Sequence, residues 1–250
     1  MGSIVSSGRR DPGFPRYVTL GGQGFGPAFL GSRHGPFVIQ EIETARDQLR
    51  RVDQKRRAMD LLAVFNQSYS KTTDSRALAA RSSDVESVRA LLDTPFSEAL
   101  DLDAVGENQR QRYGDHQFGR RVLTAGRLLK LGVPFVEAQL GGWDTHIDNQ
   151  RRTDQLCRQL EQPWLALMDD LRANGIWDDT LIVWTGEFGR TPKLNGRAGR
   201  DHFPESTPVV LAGGNLGGRV IGQTSKDGGQ RVGEKHSVAD LMATLLTLLG

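Results

Sequence analysis

The stretch TLIVWTGEFGRTP, residues 180–192, joins a run of apolar and β-branched side chains to a polar loop carrying an acid and an arginine. Thr180 to Thr185 is short and lacks polar alternation, the pattern of a strand buried on both faces of a parallel sheet. Upstream, Pro134 to Leu140 reads as another short strand that ends at Gly141-Gly142. Between them, residues 149–174 place Leu156, Leu160, Trp164, Leu167 and Leu171 at spacings of three and four, which predicts a helix with one apolar stripe. Pro163 predicts a kink in it, and Asn174-Gly175 a stop. Strand, helix, strand is a crossover unit, so the two strands are expected to lie parallel in one sheet.

The C-terminal strand ends of such a sheet open at one edge, where ligands bind. GGWDTH (141–146) follows the first strand and TGEFGRTP (185–192) contains the end of the second, so Asp144, His146 and Glu187 are expected on one rim. Residues 186–207 carry no helix or strand pattern, and so long a loop is usually functional. It brings GRDHFP (199–204), with Asp201 and His202, to the same rim before the next strand candidate, Pro208 to Ala212. Carboxylates and imidazoles in this density suit a divalent cation. Taken singly, an Asp-x-His or Asp-His pair is more often a turn or a cap. The convergence of three sequence-distant segments favours a site.

Length and composition bound the rest. A chain of 250 residues can bury a sizeable core, and one large domain is the first expectation. No apolar run approaches the roughly 20 residues that span a bilayer. With 32 basic and 30 acidic residues, the charge balance argues against a nucleic-acid partner, and the densest basic stretch, ARDQLRRVDQKRR (45–57), is broken by Asp47 and Asp53 like a solvated helix face. The single Cys157 excludes an internal disulfide and a thiolate cluster. No G-x-S-x-G, H-E-x-x-H or P-loop is present, which removes serine hydrolase, zincin and nucleotidase readings.

Elsewhere, Tyr17 to Leu20 is a strand candidate, and GGQGFG (21–26), with Pro27 where a helix would open, reads as a loop rather than a dinucleotide fingerprint. A helical insert of about 41–112 is expected, with helices over Glu41 to Arg57, Met59 to Tyr69 and Ser75 to Leu92. Phe118, Val122, Leu123, Leu128 and Leu129 mark one face of a further helix, at whose start His116 reads as a cap or a surface residue. Ser237 and Asp240 form a capping-box pattern ahead of Leu241, Leu245 and Leu248. His236 faces either the rim or solvent.

YGDHQFGRRVLTAGRLLKLGVPFV, GGWDTH, VWTGEFGRTP, GRDHFP with PVVLAGG, and HSVADLMATLLTLLG, in this order over essentially the whole chain, resemble the family called domain of unknown function 1501. That family resembles a branch of the alkaline phosphatase and sulfatase superfamily. The resemblance implies an α/β fold, a mainly parallel sheet flanked by helices in an alkaline phosphatase-like three-layer sandwich, as one domain over 1–250. It sets Glu187 where those enzymes carry a metal-binding Asp, and His202 where they carry a late metal or substrate histidine. Asp144 and His146 echo their Asp-x-x-x-His pair more loosely. Family members usually begin earlier, with a G-G-P-S-x-x-D-T-F-D-like segment bearing a metal ligand and the nucleophile, and with export signals. The chain therefore resembles a fragment, inactive alone, of an exported or periplasmic protein.

The implied function is metal-dependent hydrolysis of a phosphate or sulfate ester, with an anionic ester as substrate. Asp144, Glu187, Asp201 and His202 are the expected ligands of a divalent ion, whether Zn, Mn, Ca or Mg. His146 is a ligand or a general acid. Arg190 either binds an anionic group, for which a guanidinium is well shaped, or holds its own loop by a salt bridge. The alternative is a non-catalytic exported binding or scaffold protein that retains the metal site.

Overall fold

The computed structural model describes residues 1–9, 13–56, 91–214 and 216–250. They form two compact units, Met1–Gln139 and Leu140–Gly250. The helices expected over Met59 to Tyr69 and Ser75 to Leu92 lie essentially outside the described residues.

The first unit is built on a three-stranded parallel sheet in the order β2-β1-β3, from β1 (Tyr17–Leu20), β2 (Phe37–Ile39) and β3 (Phe135–Ala138). Val18 pairs with Phe37 on one side and Val136 on the other. The central strand is wholly buried, and its two hydroxyls are both satisfied: Thr19 donates to the carbonyl of Gly22 at 3.0 Å and Tyr17 to Glu137 Oε2 at 3.1 Å. Around the sheet lie α1 (Gly2–Gly8), α2 (Ile42–Gln54), α3 (Phe96–Ala99), α4 (Glu107–Tyr113) and α5 (Gln117–Leu131). Helix α5 opens as its sequence predicts. His116 is the N-cap, and its Nδ1 accepts the Gly119 N–H at 3.1 Å. Gly132, at φ +97°, closes the helix in the left-handed conformation. Phe118, Val122, Leu123 and Leu128 on its inner face are buried, and each such burial contributes about 1.5–3 kcal/mol.

The second unit contains α6 (Asn149–Ala173), β4 (Leu181–Thr185), β5 (Gly189–Arg190), β6 (His202–Phe203), β7 (Val209–Gly213), β8 (Gln223–Thr224), β9 (Arg231–Val232) and α7 (Val238–Leu249). Helix α6 runs unbroken through Pro163 and buries Leu160, Leu167 and Leu171. At α7 the capping box forms as expected, with Ser237 Oγ accepting the Asp240 N–H and the Asp240 carboxylate accepting the Ser237 N–H.

The sheet around β4 departs from expectation. β4 pairs antiparallel with β7, from Leu181 opposite Gly213 to Thr185 opposite Val209, whereas β3 belongs to the parallel sheet of the first unit. The two do not form a crossover unit in one sheet. The fold is mixed α/β, with one parallel three-stranded sheet and small antiparallel pairs among the described residues. An apolar run does not encode the direction of its neighbour. Here the chain returns from β4 to β7 through a non-helical connection, which makes an antiparallel pair. Nor is β4 buried on both faces, since Val183 and Trp184 are 38% and 40% exposed. The loop after β4 also carries structure of its own, the β5–β6 pair. Among the described residues, no helix is long and apolar enough to cross a membrane.

Candidate metal centre

Two loops of the second unit are sewn together before any functional side chain is placed. Ile147 and Ala198 form an isolated antiparallel bridge. On either side of it, Asp148 N–H donates to Arg197 O at 3.1 Å, Asn149 N–H to Ala198 O at 2.9 Å, and Arg200 N–H to Thr145 O at 3.1 Å. Gly199 sits so close that a Cβ there would lie 1.9 Å from the His146 carbonyl oxygen, so only glycine fits. Arg200 extends across the same seam. Its Nε donates to Asn149 Oδ1 at 3.0 Å, and its Nη1 to the carbonyls of Thr191 and Pro192, each at 2.6 Å. Thr145 is buried, and its hydroxyl accepts from Asn149 Nδ2.

The β5–β6 pair adds the third segment. Its register sets Arg190 opposite His202. Thr191 N–H donates to Asp201 O at 2.9 Å, while Asp201 N–H donates to Thr191 Oγ1 at 3.1 Å. The GGWDTH, GEFGRTP and GRDHFP segments therefore do meet, through loop-to-loop hydrogen bonds within one unit.

Three donor atoms converge there. Asp144 Oδ1 lies 3.0 Å from His146 Nε2 and 3.2 Å from His202 Nε2, and the two Nε2 atoms are 3.1 Å apart. Ligands about 2.1 Å from a small cation in tetrahedral or octahedral geometry are separated by about 3.0–3.4 Å, so the triangle has the right size to hold one ion. On its other side, His146 Nδ1 meets Asp201 Oδ1 at 3.2 Å. With the proton on Nδ1, the Nε2 lone pair faces the triangle, the carboxylate-imidazole arrangement common behind metal ligands. The His202 ring is backed by Phe188, with centroids 4.5 Å apart.

Arg190 completes the cluster. Its side chain is 14% exposed, Nη1 is 2.6 Å from Asp144 Oδ1, and Nη2 pairs with the Glu187 carboxylate. Of the expected ligands, Asp144 and His202 are in the triangle, Asp201 stands behind His146, and Glu187 is tied to Arg190. His146, expected as ligand or acid, is the third corner. The hydrogen bond from His202, followed by Arg190, holds the Asp144 carboxyl below the usual carboxylate range. Asp201 is held low as well, first by Asn195 and then by His146. Both are thus ionised at neutral pH.

Sequence reading missed Asn195, which binds both the His146 carbonyl and the Asp201 carboxylate. The available signal was Asn195-Gly196, a turn dipeptide in which the asparagine side chain bonds nearby backbone. Asp144 is flanked in sequence by Trp143, whose ring lies 6.5 Å from that of Trp184. Trp164 lies 5.8 Å from Trp184 on another side. His116 is taken up by its cap, and His236 is exposed.

A family model described as "Protein of unknown function (DUF1501)" matches residues 1–250, and the chain belongs to that family. No curated protein and no solved structure matches it.

Proposed function

We propose that this member of the DUF1501 family is a metal-dependent hydrolase of phosphate or sulfate esters, with an alkaline phosphatase-like three-layer fold and an exported location. The observation that carries the reading is the triangle of Asp144 Oδ1, His146 Nε2 and His202 Nε2 with 3.0–3.2 Å edges, beside the Arg190 guanidinium. A divalent cation held there would polarise an ester oxygen and stabilise developing negative charge. One carboxylate and two neutral imidazoles favour zinc or manganese over calcium or magnesium, which prefer all-oxygen cages. The triad sets a single negative charge against the two positive charges of the ion, and Arg190 adds a planar fork matched to phosphate or sulfate oxygens. To engage an ester, Arg190 must exchange one of its two carboxylate partners for the substrate.

A second reading, a non-catalytic binding or scaffold protein that keeps the metal for stability, is favoured by one observation. Of the hydroxyls near the motifs, those of Thr145, Thr185 and Thr191 are held by protein groups, and no described contact pairs these or Ser206 with a base as an activated nucleophile would be. The two readings separate on the whole protein. Hydrolysis of p-nitrophenyl phosphate or sulfate that stops on chelation and in Asp144→Asn supports the hydrolase. Stoichiometric metal without turnover of either ester supports the scaffold. Absence of bound zinc and manganese after dialysis rejects both.

A further inference from the structure

We propose that Asn195 is the positioning residue of this centre. Acting through Asp201, it fixes the tautomer of His146 so that the Nε2 lone pair faces Asp144 and His202. Every hydrogen-bonding valence of the Asn195 amide is used. Its Nδ2 donates to Asp201 Oδ1 at 3.0 Å and to the His146 carbonyl at 3.1 Å. Its Oδ1 accepts the N–H groups of Arg197 at 2.9 Å and Gly199 at 3.0 Å. Reversing the amide would set oxygen against a carboxylate and a carbonyl, and NH2 against two N–H groups, so the orientation is forced.

This amide bears on His146 twice. It holds the backbone carbonyl directly, and it holds the oxygen, Asp201 Oδ1, that faces the ring's Nδ1 at 3.2 Å. The Asp201 side chain is 59% exposed. Its backbone is pinned by Thr191, but among the described contacts only Asn195 and His146 hold the carboxylate itself. Without the amide, that carboxylate is free to turn into water, and the imidazole can then carry its proton on Nε2, inside the triangle. Asparagine is required because aspartate of equal size has no N–H to donate and would set a second carboxylate against Asp201.

The tautomer arm of the test is independent of the metal reading, and only the affinity arm rests on it. In 15N-labelled metal-free protein, the neutral form of the His146 imidazole, assigned by comparison with His146→Gln, is expected to carry its proton on Nδ1, toward Asp201, rather than on the Nε2 that faces Asp144 Oδ1 at 3.0 Å. A proton on Nε2 overturns the proposal. Asn195→Asp keeps both acceptor bonds to the loop and removes both donors. It is expected to mix the two tautomers and to weaken zinc or manganese binding about 10–100-fold, the size typical of lost outer-shell partners. Unchanged tautomer and affinity overturn the proposal. Should Asn195→Asp lose the hydrogen-exchange protection of the Gly199 amide, Asp201→Asn tests the relay from its other end, with the same tautomer mixing and affinity loss expected. Because one path is involved, the double variant is expected to bind metal no worse than the weaker single variant, and additive losses overturn the proposal. A wild type with the Nδ1 proton but no metal affinity would leave the positioning intact and remove the metal reading instead.

Discussion

Arg190 stands between Asp144 and Glu187, with Nη1 2.6 Å from Asp144 Oδ1 and Nη2 paired to the Glu187 carboxylate. The acids of two motifs are thus joined by a guanidinium, and they are not equivalent toward a cation. Asp144 also faces His146 and His202, while among the described contacts Glu187 reaches the cluster only through Arg190.

A ranking of metal affinities follows. Glu187→Gln leaves the triangle intact and is expected to weaken zinc binding about 10-fold, as for an outer-shell partner, whereas Asp144→Asn and His202→Gln remove corners and cost more than about 100-fold. His116→Gln is expected to leave metal affinity unchanged, since His116 caps α5. Elemental analysis after dialysis and competitive chelator titration give the order. A loss in Glu187→Gln as large as in Asp144→Asn would mean that Glu187 ligates directly.

His116 makes a stability switch at mildly acid pH. Its Nδ1 accepts the Gly119 N–H, and burial, followed by the nearby Arg120 charge, lowers its pKa from the ordinary histidine value. A histidine depressed in the folded state stabilises above its unfolded pKa of about 6.5 and loses that contribution as pH falls from there toward the folded value. Denaturant midpoints are expected to fall over this window, as protonation removes the acceptor that caps α5. His116→Asn, a cap that does not titrate, is expected to flatten the slope. An equal slope in the variant assigns the dependence to other groups.

Tyr17 titrates in the opposite sense. It is buried at the start of β1 and donates to Glu137 Oε2 at 3.1 Å. Burial first, then the Glu137 charge, raise its pKa to about 12. The neutral phenol is favoured by folding, so its contribution is complete below the unfolded value of about 10 and is lost as pH rises toward about 12. Glu137→Gln removes the charge and keeps the burial. The phenol midpoint, followed by NMR, is expected to drop toward about 10 without reaching it. An unmoved midpoint would assign the whole shift to burial.

How much of this was legible depended on range. The α5 cap at His116, the capping box of Ser237 and Asp240, the strand Tyr17–Leu20 and the apolar stripe of α6 are local patterns, and the structure has them where the spacing puts them. The convergence of Asp144, His146 and His202 was legible only as three segments heading for one place, by a route the structure does not take. They meet because the Ile147–Ala198 bridge and the Arg190–His202 register join loops about 50 and 12 residues apart. Strand direction at β4, the pairing of Glu187 with Arg190 and the role of Asn195 depend on hydrogen bonds between distant residues, which no periodicity encodes.

Gly199 gives the sharpest test of that seam. A methyl group there would lie 1.9 Å from the His146 carbonyl oxygen and 2.5 Å from the Ile147 nitrogen. These are backbone atoms that no rotamer change can move aside. Gly199 N–H also donates to Asn195 Oδ1 at 3.0 Å, and Gly199 O accepts from Asn195 N at 2.8 Å, so displacing the loop disturbs the amide that holds Asp201. Gly199→Ala is expected to cost on the order of 1–3 kcal/mol of stability, as overpacking does. It should also weaken metal binding at least as much as Asn195→Asp, because His146 and Asp201 move apart. Gly196→Ala is the control, since a Cβ there meets nothing within 4 Å. If Gly199→Ala keeps wild-type denaturant midpoint and metal affinity, loops 145–149 and 195–201 are not held together as described, and the triangle loses its support.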